Sequence, residues 1–237
     1  SNTKIINYKD STLDERLLNF KAPAKTKRSL NKAALNLSPL SLLILAACGG
    51  GSKDGAGGVQ FNGNLQNGPL FDAFTFLDLH LTGTNAGNGV FDVLTEQGDR
   101  TDVDGNFSLS ASAADISNGF TIVSITDERT IDTSTGTAYG SGITFKAPQN
   151  SKVVSPNTTL VEKDLSNNSA LTQEEAVEKV AASLGLTGVD VLSFDAYADQ
   201  SSMTDEEKET AHSVKQANNK VMTVIKTFAA AAKLFCS

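Results

Sequence analysis

The aspartates carry the most suggestive chemistry in this 237-residue chain. Asp102-Val-Asp104-Gly105 sets two carboxylates at alternating positions before a turn glycine, and calcium takes six to eight oxygen ligands of this kind. Aligned as an EF-hand loop with Gly105 at the sixth position, the string puts Arg100 first and Ala111 twelfth, so the leading carboxylate and the bidentate Glu are both missing. Two readings stay open: a calcium site assembled across loops from Asp78, Asp92, Asp99, Asp102 and Asp104, or solvated turn acids. His80, in Phe76-Leu-Asp-Leu-His-Leu, and His212 are the candidate bases. Nucleophilic catalysis needs a hydroxyl or thiol held by a base that a third group orients, and Gly140-Ser141-Gly142 lacks the spacing of a nucleophile elbow. Gly83-Thr-Asn-Ala-Gly-Asn-Gly89 lacks the Lys-Ser/Thr ending of a phosphate loop. The carboxylates Glu206, Glu207 and Glu209 suit the solvated, dipole-favoured start of a helix more than an acid/base pair. Two His and two Cys are too few for a zinc site of Cys and His alone, and one disulfide between Cys48 and Cys236 is the most the cysteines allow.

The elements that must position these groups follow from charge and periodicity. Residues 1–47 hold eight bases and three acids, net +5, whereas residues 48–237 hold twelve bases and 24 acids, net −12. An acidic folded part repels a phosphate backbone, which excludes nucleic acid as its partner. From Val59 onward, short runs rich in Phe, Val, Ile and Thr alternate with Gly, Asn and Asp turns. These predict strands near 59–66, 69–81, 89–95, 106–111, 119–126, 129–133, 137–146 and 151–155, an antiparallel sandwich by their spacing. After about residue 165 the period becomes helical. Thr172-Gln-Glu-Glu175 and Thr204-Asp-Glu-Glu207 are capping boxes, and Gly185 is a C-terminal cap. They predict helices over 173–184 and 205–235, the longer one with a seam of Ala211, Val214, Ala217, Val221, Val224, Ile225, Phe228, Ala232 and Phe235 that packs on the shorter helix or the sandwich, or else forms a coiled coil. Cys236 falls in that seam, or serves as a dimer link if it is exposed.

The stretch Leu37-Ser-Pro-Leu-Ser-Leu-Leu-Ile-Leu-Ala-Ala-Cys48 is an apolar run of about twelve residues behind Lys25, Lys27, Arg28 and Lys32. As a helix it would measure roughly 18 Å, too short for a bilayer and suited to a signal-peptide core. Leu45-Ala46-Ala47-Cys48 resembles the lipobox of bacterial lipoproteins, and Gly49-Gly-Gly-Ser52 behind it reads as a tether. The resemblance implies that Cys48 is the lipid attachment site and that residues 1–47 are a targeting segment, disordered or cleaved. It also implies sorting to the outer membrane or cell surface, because Gly49 is not the inner-membrane Asp. Diacylglycerol plus an amide-linked chain exceeds the two-signal threshold for stable anchoring.

Gly68-Pro-Leu-Phe-Asp-Ala-Phe-Thr-Phe-Leu-Asp78 with Arg100-Thr-Asp-Val-Asp-Gly-Asn-Phe-Ser-Leu109 resembles the transthyretin-like, or carboxypeptidase-regulatory, β-sandwich of bacterial surface proteins. Val153-Val-Ser-Pro-Asn-Thr-Thr-Leu160, Ala182-Ser-Leu-Gly-Leu186 and Val189-Asp-Val-Leu-Ser-Phe-Asp195 resemble the helical segment that follows it in large secreted and surface proteins. The expected organisation is a targeting segment over 1–47, a tether over 48–58, a β-sandwich over 59–165 and a helical segment over 166–237, an α+β chain. The resemblance implies a non-catalytic, lipid-anchored scaffold or adhesive module whose partners are the membrane and an extracellular protein or glycan. It needs no cofactor, with calcium the open alternative through Asp78, Asp99, Asp102 and Asp104. The competing readings are the leading part of a long secreted adhesin that keeps an uncleaved Cys48 segment, and a secreted hydrolase using His80 or His212.

Overall fold

A computed structural model describes residues 58–80 and 87–235. They form a mixed α+β fold with three small sheets and four α-helices among the described residues. β1 (Val59–Leu65) pairs antiparallel with β5 (Asn106–Ala111) from Val59 opposite Ala111 to Asn64 opposite Asn106. Period-two alternation sends Leu65, Phe107, Leu109 and Ala111 into the core and leaves Asn62, Asn64, Asn106 and Ser108 on the outer face. On the other edge of β1, β10 (Val153–Val154) pairs in parallel, where the spacing predicts only antiparallel partners. A four-stranded sheet runs β4 (Gly98–Arg100), β3 (Phe74–Leu79), β6 (Phe120–Ile125), β9 (Thr144–Pro148). Its inner face contributes Leu77, Leu79, Ile122, Phe120, Phe145 and Ala147 to the same apolar cluster as Leu65 and Leu109.

The extended run expected over 69–81 is broken in two. β2 (Leu70–Phe71) leaves to join β7 (Ile131–Asp132) and β8 (Thr137–Ala138) in a third sheet. The break falls at Asp72, whose φ of 58° is a left-handed conformation that Asp tolerates better than most residues. Arg100 holds it there, donating through Nη1 to the Asp72 carbonyl at 2.6 Å and to its carboxylate at 3.1 Å. No strand forms over 89–95. That segment turns on itself, and pairing resumes only at Gly98, opposite Phe76.

Two helices appear where the periodicity predicts none. α1 (Ala113–Asn118) starts from a capping box between Ser112 and Asp115. α2 (Pro156–Asn167) starts at Ser155, with Pro156 in the first turn where its missing N–H costs nothing. Helical structure therefore begins well before residue 165. α3 (Gln173–Leu184) has the expected bounds, capped by Thr172 and closed by Gly185 at φ 76°, ψ 23°. α4 (Asp205–Phe235) also matches its expected span. Its Ala211, Val214 and Ala217 pack with Val161 of α2 and Ala176 and Val180 of α3, while Met222 reaches the sheet cluster. The expected packing of the long helix on helix 173–184 and on the sheets is thus found for residues 211–222. Among the described residues no helix is long and apolar enough to cross a membrane.

Candidate functional site

On the outer face of the four-stranded sheet, Asp78 of β3 pairs in register with Thr121 of β6, so both side chains stand on one side. His80 follows two residues on and joins them. Lys146, from β9, pairs with Val123 and faces the same way. α2 lies over β9 and brings Glu162 to this face, where the Thr121 hydroxyl donates to Glu162 Oε1 at 3.0 Å. A hydroxyl has one proton, so the 3.0 Å contact between Thr121 Oγ1 and His80 Nε2 is donated by the imidazole N–H. The order is therefore imidazole to hydroxyl to carboxylate. Thr121, 4% exposed and with its proton directed at Glu162, is not primed as a nucleophile.

Burial pushes the Glu162 carboxyl pKa up, against the Thr121 hydroxyl, His80 and Lys146. Asp78 is 1% exposed and is also pushed up by burial, against the Gly89 amide that donates to its Oδ2 at 2.8 Å and against Lys146 and His80. Glu96 completes the group. Its Oε1 accepts the Leu79 amide at 3.0 Å and its Oε2 the Asp92 amide at 2.8 Å. Burial raises its pKa, and the nearby Asp78 and Asp92 charges add to the rise. A cleft of about 320 Å³ opens above His80, Gln149, Glu162 and Ser166. The carboxylates of Asp78 and Glu96 clamp the backbone of residues 89–96 to β3.

The larger cleft, about 590 Å³, lies over the outer face of the β1–β5 pair. Asn62, Asn64 and Ser108 line it, with Arg100, Lys152 and Asp195 at its margins. Asp195 ties the loop after α3 to β1: it accepts from Asn64 Nδ2 at 2.8 Å, from Gln66 Nε2 and from the Tyr197 amide at 2.8 Å. Arg100 is held between Asp72 and Asp127, donating to Asp127 Oδ2 at 2.6 Å. These neutral amides and hydroxyls, with fixed charges of both signs, suit hydrogen bonding to a polar ligand.

The calcium candidates do not meet at one centre. Asp99, opposite Thr75, shares the inner face of β3, whereas Asp78, three residues from Thr75, stands on the outer one. Asp99 accepts the amides of Arg100 at 2.8 Å and Ser108 at 3.1 Å. Asp102 is bound into its own turn by the Asp104 and Asn106 amides. Burial works against its charge, but the Asn106 and Asp104 bonds outweigh it and hold the carboxyl below the ordinary aspartate range. Asp104 is exposed, and the Asp92 carboxylate accepts the Leu94 amide at 3.0 Å. Among the described residues no three Asp, Glu, His or Cys side chains are arranged to hold a metal ion. His212 is exposed on α4 against Gln216 at 2.8 Å and shares no described hydrogen bond with the His80 network. Cys48, Leu45, Ala46, Ala47 and Cys236 lie outside the described residues.

Sequence reasoning missed Thr121, Lys146, Glu162, Glu96 and Asp195. The one usable signal was the run Gln60, Asn62, Asn64, whose alternation with apolar residues marks a polar outer face. Compared with protein-family models, with curated proteins and with solved structures, the chain has no match.

Proposed function

We propose that this chain is a non-catalytic, lipid-anchored module of a bacterial outer membrane or cell surface, acting as a scaffold or adhesive unit. The observation that carries this reading is the position of Leu45-Ala46-Ala47-Cys48: only ten residues separate Cys48 from Val59, the first residue of β1. An acylated Cys48 would therefore hold an acidic folded unit at the lipid surface on a short Gly/Ser-rich tether. We propose further that the sheets are a transthyretin-like sandwich, a reading supported by the single apolar cluster that strands of all three sheets share. The cleft over Asn62, Asn64 and Ser108 is the surface proposed for an extracellular protein or glycan. The buried, carboxylate-directed proton of Thr121 favours a structural role for the His80 network over hydrolysis.

Intact-mass and tandem mass spectrometry of the chain expressed in a bacterium, with and without an inhibitor of lipoprotein signal peptidase, tests the anchor. The expected product begins at acylated Cys48 and disappears with the inhibitor. An unmodified, uncleaved Cys48 would overturn the reading in favour of a secreted adhesin that retains this segment.

A further inference from the structure

The chain holds four Asn-Gly pairs, Asn62-Gly63, Asn67-Gly68, Asn88-Gly89 and Asn118-Gly119. A glycine after Asn leaves the following peptide nitrogen unshielded, so that it can attack the Asn side-chain carbonyl and close a five-membered imide ring. Three of the pairs are held against this. Asn62-Gly63 is extended in the β1–β5 ladder, the Gly68 amide donates to the Tyr197 hydroxyl at 2.8 Å, and the Gly119 amide donates to the Asp115 carbonyl at 3.0 Å. A phenol and a carbonyl are poor acceptors for an amide proton.

At Asn88-Gly89 the surroundings favour the ring. The Gly89 amide, the group that must lose its proton, donates to Asp78 Oδ2 at 2.8 Å, within the reach of a general base. Asp78 is 1% exposed, its Oδ1 has no described hydrogen-bond partner, and burial raises its pKa and so strengthens its anion as a base. The charged and titratable groups around it are Lys146 from β9, His80 at the end of β3 and Glu96 from the loop. Lys146 Nζ stands 3.2 Å from where a Cβ on Gly89 would lie, and Gly89 has a φ of +73°, so a side chain there would be both strained and crowded. On the other side of the peptide, Asn88 Oδ1 accepts the Val90 amide at 2.7 Å. That bond folds the Asn88 side chain back over its own peptide and puts a donor on the oxygen where charge develops as the ring closes. Asn88 itself is exposed, open to the water that must follow.

We propose that Asn88-Gly89 is a self-modification site, at which Asp78 acts as general base and Asn88 is converted to aspartate and isoaspartate. Asp78 Oδ2 takes the Gly89 proton as that nitrogen bonds to Asn88 Cγ, and the Val90 amide holds the resulting oxyanion. The Cγ–Nδ2 bond then breaks, the proton passes from Asp78 to the leaving group, and ammonia departs. Water opens the imide at either carbonyl, so one water is consumed and one ammonia released. The product carries a new negative charge, and as isoaspartate one further backbone methylene, at the point where Asp78 clamps the loop.

The full chain is incubated at pH 7.5, and peptide mapping with electron-transfer fragmentation, which separates isoaspartate from aspartate, reads each Asn-Gly pair. Asn88 should react roughly tenfold or more faster than the other three, and the excess should vanish in guanidinium. Asp78→Asn keeps an acceptor for the Gly89 amide but no base. It should bring Asn88 down to the rate of the other pairs while the Gly89 amide stays protected from hydrogen exchange. Should that amide lose its protection, the pH profile of the unaltered chain decides alone: its Asn88 rate should level off once Asp78 is ionised. An Asn88 rate no higher than that of the other pairs, an excess that persists in guanidinium, an unchanged rate in Asp78→Asn, or a rate that rises in proportion to hydroxide from pH 5 to 9 would overturn the proposal.

Discussion

Thr121 and Glu162, 41 residues apart in the chain, meet across 3.0 Å, and the bond fastens α2 to the outer face of the sheet. His80 supports the hydroxyl from the other side at 3.0 Å. The carboxylate is held where burial works against its charge, so the hydroxyl contributes by stabilising an ion that the site otherwise disfavours.

Thr121→Val keeps the shape and deletes that donor. Leaving a buried acceptor short of its partner costs about 1–3 kcal/mol. Urea denaturation at pH 7 should show a loss of that size. At pH 4.5 the loss should be smaller, because a protonated Glu162 no longer needs the donor. A loss equal at both pH values would mean that the hydroxyl acts through packing alone.

Stability should pass through a maximum at about pH 4 to 5. Asp78, Glu96 and Glu162 have folded pKa values above the ordinary 3.8 or 4.5. Their contribution is fully present below those unfolded values and is lost as the pH rises through the raised folded ones. Asp102 is held below 3.8 by its turn amides and Asp127 by the Arg100 guanidinium. Their contribution is present above 3.8 and is lost as the pH falls through the lowered values. Denaturation midpoints measured from pH 3 to 8 check both limbs. Asp78→Asn should raise the midpoint at pH 7 and flatten the neutral limb. Its carbonyl can still accept the Gly89 amide, and the gain is the removal of a buried charge less the cost of burying an unpaired NH2.

Asp195→Ala removes the acceptor shared by Asn64, Gln66 and the Tyr197 amide. Gln66 is 1% exposed, so its stranded donor should dominate a destabilisation of about 2–3 kcal/mol. Thermal or urea unfolding measures it. Hydrogen exchange should show the Tyr197 amide losing its protection while those within β5 keep theirs.

The elements legible in the sequence are those whose signals are local. α3 could be bounded by its capping box at Thr172 and its left-handed Gly185, because both act within one turn of helix. β5 and β6 follow from short apolar runs between turn residues. α2 was missed although Ser155-Pro156 announces it, because Asn157, Thr158 and Thr159 have weak helix propensity and tertiary packing overrides it. The strand expected over 89–95 failed for a similar reason: Val90, Phe91, Val93 and Leu94 read as an apolar run, yet Glu96 and Asp78 pin that backbone into turns.

Leu45-Ala46-Ala47-Cys48 is a motif in one dimension, legible from residue types and order alone. Residue types and local periodicity determined the α+β class, the helix caps and the acidic character of the folded part. Only the tertiary structure decided that Asp78 and Asp99 stand on opposite faces of a sheet, and that His80, Thr121 and Glu162 form one hydrogen-bonded chain. It also decided that Phe91 packs on Phe74 and Phe76, with ring centroids 4.9 and 5.5 Å apart. The reason is physical: faces and ends are set by strand register and by one packed core, whose contacts join residues tens of positions apart, and no local spacing encodes them.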